Sequence, residues 1–407
     1  MKSAWSTKKI GEVCDFQNGL WTGKKAPFMV TEVIRNTNFK NNDGSLNFND
    51  VAEIKVEKNQ LQSRLLQKGD IILERSGGGP TQPVGRVVYF EGESDKFSFS
   101  NFTTRIRARE GIELDSKYLW FFLHYFYKSG KTEAMQKKTT GIRNLTFSEY
   151  KDIEIPFPPL SEQKKIVDRL EKLLAKIKEA KRLRAQAQEA TQNLLSAELH
   201  KIFEEGKKNG WEGKELGKIC ELNPKKSEIK DKPEDFLVSF IPMSAVSDDL
   251  QKIVTFDERP LGKVRKGYTY FCNNDVLFAK ITPCMENGKV ALAKNLKKGI
   301  GFGSTEFHVI RAEEKVLPEW IYYVIRQKFF LEEAEKHMTG SAGQKRVPVQ
   351  FLEKYKILLP SLSEQKKIVA RLDALSEKLK KLQAHQNQSA ADLLALEQSI
   401  LHKAFKN

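Results

Sequence analysis

Cysteine is scarce in this sequence: four residues in 407, none in a Cys-x-x-Cys pair. That usage gives neither a zinc pattern nor a disulfide framework, and a reducing cytoplasm fits it best. Long apolar runs are missing as well. No stretch approaches the roughly 18 residues that would cross a bilayer, and the opening Met1-Lys2-Ser3-Ala4-Trp5-Ser6 has no signal-peptide core. No membrane role is expected. Nucleotide-binding signatures are absent: Gly77 to Gly79 runs into Pro80, and Gly340-Ser341-Ala342-Gly343-Gln344-Lys345 lacks the phosphate-loop spacing. No Gly-x-Gly-x-x-Gly opens a βαβ unit, so no cofactor is expected. Asn223-Pro224-Lys225-Lys226 does not match the Asn-Pro-Pro-Tyr/Phe loop by which amino-methylating enzymes grip a flipped base. The six histidines, His124, His200, His308, His337, His385 and His402, form no ligand cluster. Neither a metal site nor a catalytic residue is expected.

What is present is a duplication. Leu160-Ser161-Glu162-Gln163-Lys164-Lys165-Ile166-Val167 returns letter for letter as Leu362 to Val369, and each copy is followed by an Arg-Leu pair, Arg169-Leu170 and Arg371-Leu372. Such a repeat is settled before any other reading, because it decides the architecture. Fainter echoes surround it. Trp5 with Gly11 to Cys14 matches Trp211 with Gly217 to Cys220, and Gly69 to Arg75 matches Asn274 to Lys280. Ile106-Arg107-Ala108 returns as Ile310-Arg311-Ala312, and Gly141 to Leu145 as Gly343 to Val347. The offsets drift by a few residues, as loops of unequal length require. The order is therefore a globular domain (1–160), a long helix (161–208), a second domain (209–362) and a second long helix (363–407).

Each identical stretch opens a helix. Pro158-Pro159 and Pro360 bias the preceding backbone away from helix, Ser161 and Ser363 are placed as N-caps, and Glu162 and Glu364 put negative charge at the positive end of the dipole. Gly206 stands where a terminal glycine would stop the first helix. In the second helix Ile368, Leu372, Leu375, Leu379, Leu382, Gln386, Ser389, Leu393, Leu396 and Ile400 alternate by four and three, the seam of a coiled coil. The first helix follows as Ile166, Leu170, Leu173, Ile177 and Ala180, then loses phase at Arg184 and Thr191 and resumes at Leu194, Leu195, Leu199 and Ile202. Arg184 and Gln386 fall at equivalent positions, where a polar seam residue fixes register. The alternative is an ordinary amphipathic core helix. Because a domain's termini lie close together, the second domain joins the end of one helix to the start of the other. The helices must then run antiparallel, with the heads at opposite ends of a rod of ~65 Å. That length suits half-sites separated along a duplex.

Within each domain the pattern is mixed α/β. Asp70 to Leu73 and Arg86 to Phe90 read as strands around the glycine-rich Ser76 to Thr81, and Val276 to Phe278 and Lys289 to Ala293 as strands around Ile281 to Gly288. The aromatic runs Tyr118 to Tyr127 and Trp320 to Phe330 read as buried helices. Cys14 and Cys220 are equivalent and packed; His200 and His402 are equivalent on the helices. The net charge of +16 is spread over all four parts, at +5, +4, +4 and +3. An extended polyanion such as double-stranded DNA could touch every part, with counterion release driving affinity. Arg75 and Lys280 hold matching places at the mouths of the variable loops; Arg143, Lys345 and Arg346 precede the helices; Lys24 and Lys25 join them as candidates. For each one, a solvated surface charge is the competing reading.

The order domain–helix–domain–helix resembles the specificity subunit of type I restriction–modification systems. So do Pro-Pro-Leu160-Ser161-Glu162-Gln163 with Ile166-Val167, the copy from Pro360 to Val369, and Gly69-Asp70-Ile71-Ile72. Asn274-Asp275 departs from the usual Gly-Asp pair. The resemblance implies two target recognition domains that each read half of a bipartite DNA site. It implies that the helices act as spacer and as platform for two methyltransferase subunits, through Ser161, Glu162, Gln163, Ile166, Ser363, Glu364, Gln365 and Ile368, with restriction subunits joining the full complex. Methyl transfer and cleavage would belong to those partners. A non-DNA coiled-coil scaffold joining two adaptors, and an unrecognised hydrolase, are the other classes open to this sequence.

Overall fold

The duplicated pattern becomes two similarly built units in the computed structural model, which describes residues 5–21, 23, 25–40, 43–79, 82–139, 142–247, 252–341 and 343–406. One unit is Met1–Arg184 with Asn387–Asn407; the other is Ala185–Gln386. Each therefore holds one mixed α/β head and a segment of both long helices, Leu160–Lys208 and Leu362–Phe405. Among the described residues no helix is long and apolar enough to cross a membrane.

The central strand of each head explains its composition. Ile71–Glu74 and Val276–Ala279 are buried on both faces, so they read as short apolar runs rather than alternating ones. In the first head Ile71–Glu74 sits between Thr103–Ala108 and Val87–Tyr89, with Cys14–Asn18 completing an antiparallel sheet of four. Val276–Ala279 sits likewise between Phe307–Ala312 and Val290–Leu292, with Cys220–Leu222 outside. Register is shared: Cys14 faces Ala108 and Cys220 faces Ala312. A second sheet in each head contains one parallel pair, Phe28–Ile34 with Phe97–Phe99 and Leu237–Ile241 with Ile300–Gly303.

The sequence echoes acquire a cause. Arg107 grips both oxygens of buried Asp70 at 2.6 and 2.7 Å, and Arg311 grips Asp275 at 2.9 and 2.8 Å. Each carboxylate also accepts the backbone N–H three residues upstream, from Gln67 or Cys272, at 2.7 Å. The preceding residue has positive φ, +99° at Gly69 and +70° at Asn274. Glycine enters that region freely, and asparagine is among the few other residues that tolerate it. The change from Gly to Asn therefore leaves the turn intact.

The first aromatic run is one helix, Ser116–Lys128, whose cap Asp115 accepts from Tyr118 N–H at 2.9 Å. The second run is two, Pro318–Ile325 and Lys328–Lys336. Both pack inside their heads, and Cys14 and Cys220 are buried free thiols.

Within each unit the helix segments run antiparallel. In the first, Leu170 shares a core with Leu401 and Phe405, and Lys181 pairs with Glu397. In the second, Glu198 pairs with Arg371, and Gln386 Nε2 donates to Thr191 Oγ1 at 3.0 Å. Several expected details are corrected. Ser161 and Ser363 lie inside the first turn. In the second helix the cap is Ser361, whose Oγ accepts Glu364 N–H at 3.3 Å while Glu364 accepts Ser361 N–H at 3.0 Å. This reciprocal box needs serine three residues before glutamate; Pro159 holds the same place in the first helix, its carbonyl accepting Glu162 N–H at 2.9 Å. Gly206 does not end the first helix, which continues to Lys208 and stops at Gly210, φ +76°. A side chain at 206 would collide with the Trp211 ring. Nor does the first helix lose phase: Thr191 is 4% exposed on the packed face, whereas Leu194 is 47% exposed. In the second helix Leu382 and Leu396 turn outward, and Glu397 sits half-buried instead. A strict 3.5-residue repeat drifts by about 20° per heptad on a straight helix, which carries those leucines off the seam.

Candidate nucleic-acid interface

One asparagine organises the exposed end of each four-stranded sheet. Asn18 closes the strand Cys14–Asn18, and its Oδ1 accepts from Arg75 Nη1 and, at 3.4 Å, from Thr104 Oγ1. Its backbone carbonyl accepts Arg64 Nε–H at 2.9 Å. Asn223 follows the equivalent strand in the second head with φ +53°. Its Oδ1 accepts Val309 N–H at 3.0 Å, and its Nδ2 donates to His308 Nδ1 at 3.3 Å. His308 Nε2–H donates to Val347 O at 2.8 Å, so its Nδ1 carries the lone pair that accepts from Asn223.

Around Asn18 the arginines divide into paired and unpaired sets. Arg86, Arg107 and Arg109 pair with Glu74, Asp70 and Asp15. Among the described residues no ion pair forms at Arg35, Arg64, Arg75 or Arg105. Burial pulls the Arg64, Arg75 and Arg105 guanidiniums down from their ordinary value, whereas the Asp70 hydrogen bonds raise that of Arg107. Aromatic rings supply the remaining contact: Arg75 lies 4.9 Å from the Phe147 ring centre and Arg64 lies 5.5 Å from Trp21. In the second head burial likewise lowers the Lys280 ammonium, with Glu306 raising it and Arg346 lowering it further.

The chain shares this double construction with a known family. A family model described as the type I restriction modification DNA specificity domain matches residues 2–188 and again residues 208–390. The chain belongs to that family. Over 187 residues, 44% of this chain, it is 41% identical to the EcoAI specificity subunit of Escherichia coli. The match spans only 31% of that relative, under a third of its length. The StySPI specificity subunit of Salmonella potsdam is 24% identical across 100% of this chain and 89% of its own. In fold, the HsdS subunit of Thermoanaerobacter tengcongensis matches with TM-score 0.59 at 21% identity, covering 100% of this chain and 98% of its own. A chain from a study of type I R-M complex assembly and conformational transition matches with TM-score 0.74 at 20% identity, covering 100% and 99%.

Within this family member the expected basic residues converge in pairs. Leu145 N–H donates to Arg75 O at 2.8 Å and Val347 N–H to Lys280 O at 2.9 Å, so each loop residue adjoins the segment carrying Arg143 or Arg346. Arg143 faces Gln136 at 3.5 Å. Arg346 forks onto Glu306 at 2.9 and 2.8 Å, so its charge is already met. Lys345 is exposed; Lys25 is exposed, with its backbone N–H on Glu57 at 2.7 Å; Lys24 lies outside the described residues. Of the helix residues, Gln163 and Gln365 face inward rather than toward a partner. Gln163 Oε1 accepts Asp115 N–H at 2.8 Å, and its Nε2 donates to Glu113 O and Pro158 O at 3.0 and 2.8 Å. Gln365 does the same with Leu317, Lys315 and Pro360 at 2.8, 3.1 and 2.9 Å. Ile166 and Ile368 pack half-buried against the head cores, leaving Ser161, Ser363 and Glu364 exposed and Glu162 partly so. Asn18, Asn223, Arg64, Arg105, Trp21 and Glu306 escape the sequence reading. Asn18 and Asn223 were within reach, since they extend the Cys14/Cys220 echo by four and three residues.

Proposed function

We propose that this chain chooses the DNA sequence for a type I restriction–modification complex. Each head reads one half of a bipartite, asymmetric duplex target, chiefly through the major groove. The long helices set the spacer and dock two methyltransferase subunits, and restriction subunits join the full complex. Methyl transfer and cleavage lie in those partners. The observation that carries the reading is the set of half-buried arginines around Asn18 that form no ion pair among the described residues. Holding guanidinium out of water without a counter-charge weakens a fold; it prepares a receptor for phosphate or for the O6 and N7 edge of guanine. Family membership supports the reading, as does the difference between the clusters, since unlike heads suit unlike half-sites.

A mobility-shift titration at low and high salt, with and without the methyltransferase subunits, tests it. Binding that weakens steeply with salt is expected, because each neutralised phosphate contributes a slope of about −0.9 in log K against log salt. Absence of binding at either salt with those subunits present would return the chain to a scaffold role.

A further inference from the structure

Beside the arginine cluster of the first head lies a cavity of about 400 Å³. Its floor is apolar, from Leu20, Val33 and Val56, and its rim carries Trp21 and Phe102, 52% and 47% exposed. Two exposed aromatic rings grouped on the rim of one apolar cavity form a surface of the kind that binds a partner. Three lining residues carry buried polar atoms without hydrogen bonds: Arg35 Nε, Asn36 Oδ1 and Ser100 Oγ. Such orphans are uncommon, a few per hundred residues, and three at one cavity call for an occupant with polar edges. The cavity is continuous with the Asn18 cluster. Arg75 N–H and Ser76 N–H donate to Phe102 O at 2.9 and 3.3 Å, and Asn36 Nδ2 donates to Ser76 O at 2.7 Å.

Among the described residues, the second head places different side chains at the matching positions. Lys280 N–H donates to Glu306 O at 2.9 Å as Arg75 does to Phe102, so Glu306 replaces the rim aromatic. The turn closed by Asn36 in one head is closed by Met243 in the other, which puts Pro242 and Met243 where Arg35 and Asn36 stand. An occupant with a flat apolar face, hydrogen-bonding edges and a nearby negative backbone is a nucleobase. Resting on the DNA-reading function proposed above, we infer that the first head takes one base unstacked from the duplex into this cavity. The rim rings form its stacking surface, and Arg35, Asn36 and Ser100 read its edge. Stacking on aromatic side chains is the common means of holding a base outside the helix.

The target is first read by methylation profiling of DNA exposed to the chain with its methyltransferase subunits. Duplexes carrying 2-aminopurine at successive positions of the first head's half-site are then bound to that complex. One position should brighten severalfold, distinct from the adenine that the methyltransferase extrudes. Phe102→Ala and Trp21→Ala should abolish that rise and weaken binding about tenfold, while Trp21→Phe keeps it and protection of the second half-site persists. No brightening beyond the methylated adenine, or a rise that survives both alanine variants, overturns the inference while leaving DNA reading intact. Failure of the complex to select any sequence overturns both.

Discussion

Arg107 donates two parallel hydrogen bonds to Asp70, at 2.6 and 2.7 Å, and Asp70 is 1% exposed. Removing one partner of such a pair strands the other. Asp70→Asn should cost the first head about 3 kcal/mol, and Asp275→Asn should do the same to the second. Hydrogen exchange resolves the two. Protection should fall across Ile71–Glu74 in one variant and across Val276–Ala279 in the other, without crossing over.

Gln163 and Gln365 tie each long helix to the loop ahead of a head helix. Gln163→Met keeps the volume but leaves the Asp115 amide and two carbonyls unpaired, a loss of about 2–4 kcal/mol. Amide exchange at Asp115 and Tyr118 should quicken markedly. Normal protection there would mean that the signature glutamine serves something other than this junction.

Burial pushes the His124 imidazole down to about 4 from an ordinary value of 6.5. Its folded value lies below its unfolded one, so the contribution is whole above pH 6.5 and drains away as pH falls toward 4. The loss across that window is about 3 kcal/mol at most. In the His124→Gln variant the stability of the Ser116–Lys128 helix should vary less with pH over the same range.

Shortening both long helices by one heptad removes ~10.5 Å, about three base pairs of duplex axis. Methylation profiling should then return the same two half-sites with a shorter spacer. An unchanged spacer would show that the helices do not act as the ruler.

Arg75→Ala should degrade recognition of the first half-site by about 1–3 kcal/mol if the guanidinium reads a base, and Lys280→Ala should act on the second alone. Uniform weakening across sequences, with a shallower salt slope, would assign the residue to phosphate. Competition binding with singly mutated half-sites distinguishes these results.

The large features were legible because repetition carries them: two heads, two helices and their antiparallel pairing follow from one duplicated stretch. Local placement was harder. Ser361 and Glu364 form a capping box that the sequence displays, but Ser361 and Ser363 are both placed to cap and only the folded backbone distinguishes them. Leu382 and Leu396 fit the heptad by spacing alone, yet helical drift turns them outward. Gly206 resembled a helix end, though what it accommodates is the ring of Trp211, five residues on. The arginine cluster was invisible for a different reason. Arg64, Arg75 and Arg105 are separated in sequence, and only sheet order brings them round Asn18. That they lack carboxylates is a property of space, not of spacing.

The first unit is completed by residues far along the chain, Asn387–Asn407. Phe405 stacks on Tyr125 at 5.8 Å and meets Tyr118 at 5.4 Å, about 280 residues away in sequence. At the usual 5–20 residues per second, a ribosome needs roughly 15–60 s to supply that ring. The contiguous stretch from Ala185 to Gln386 emerges complete in the meantime. During synthesis the second unit can therefore close before the first, whose aromatic helix gains its Phe405 contact only after the whole second unit has been made.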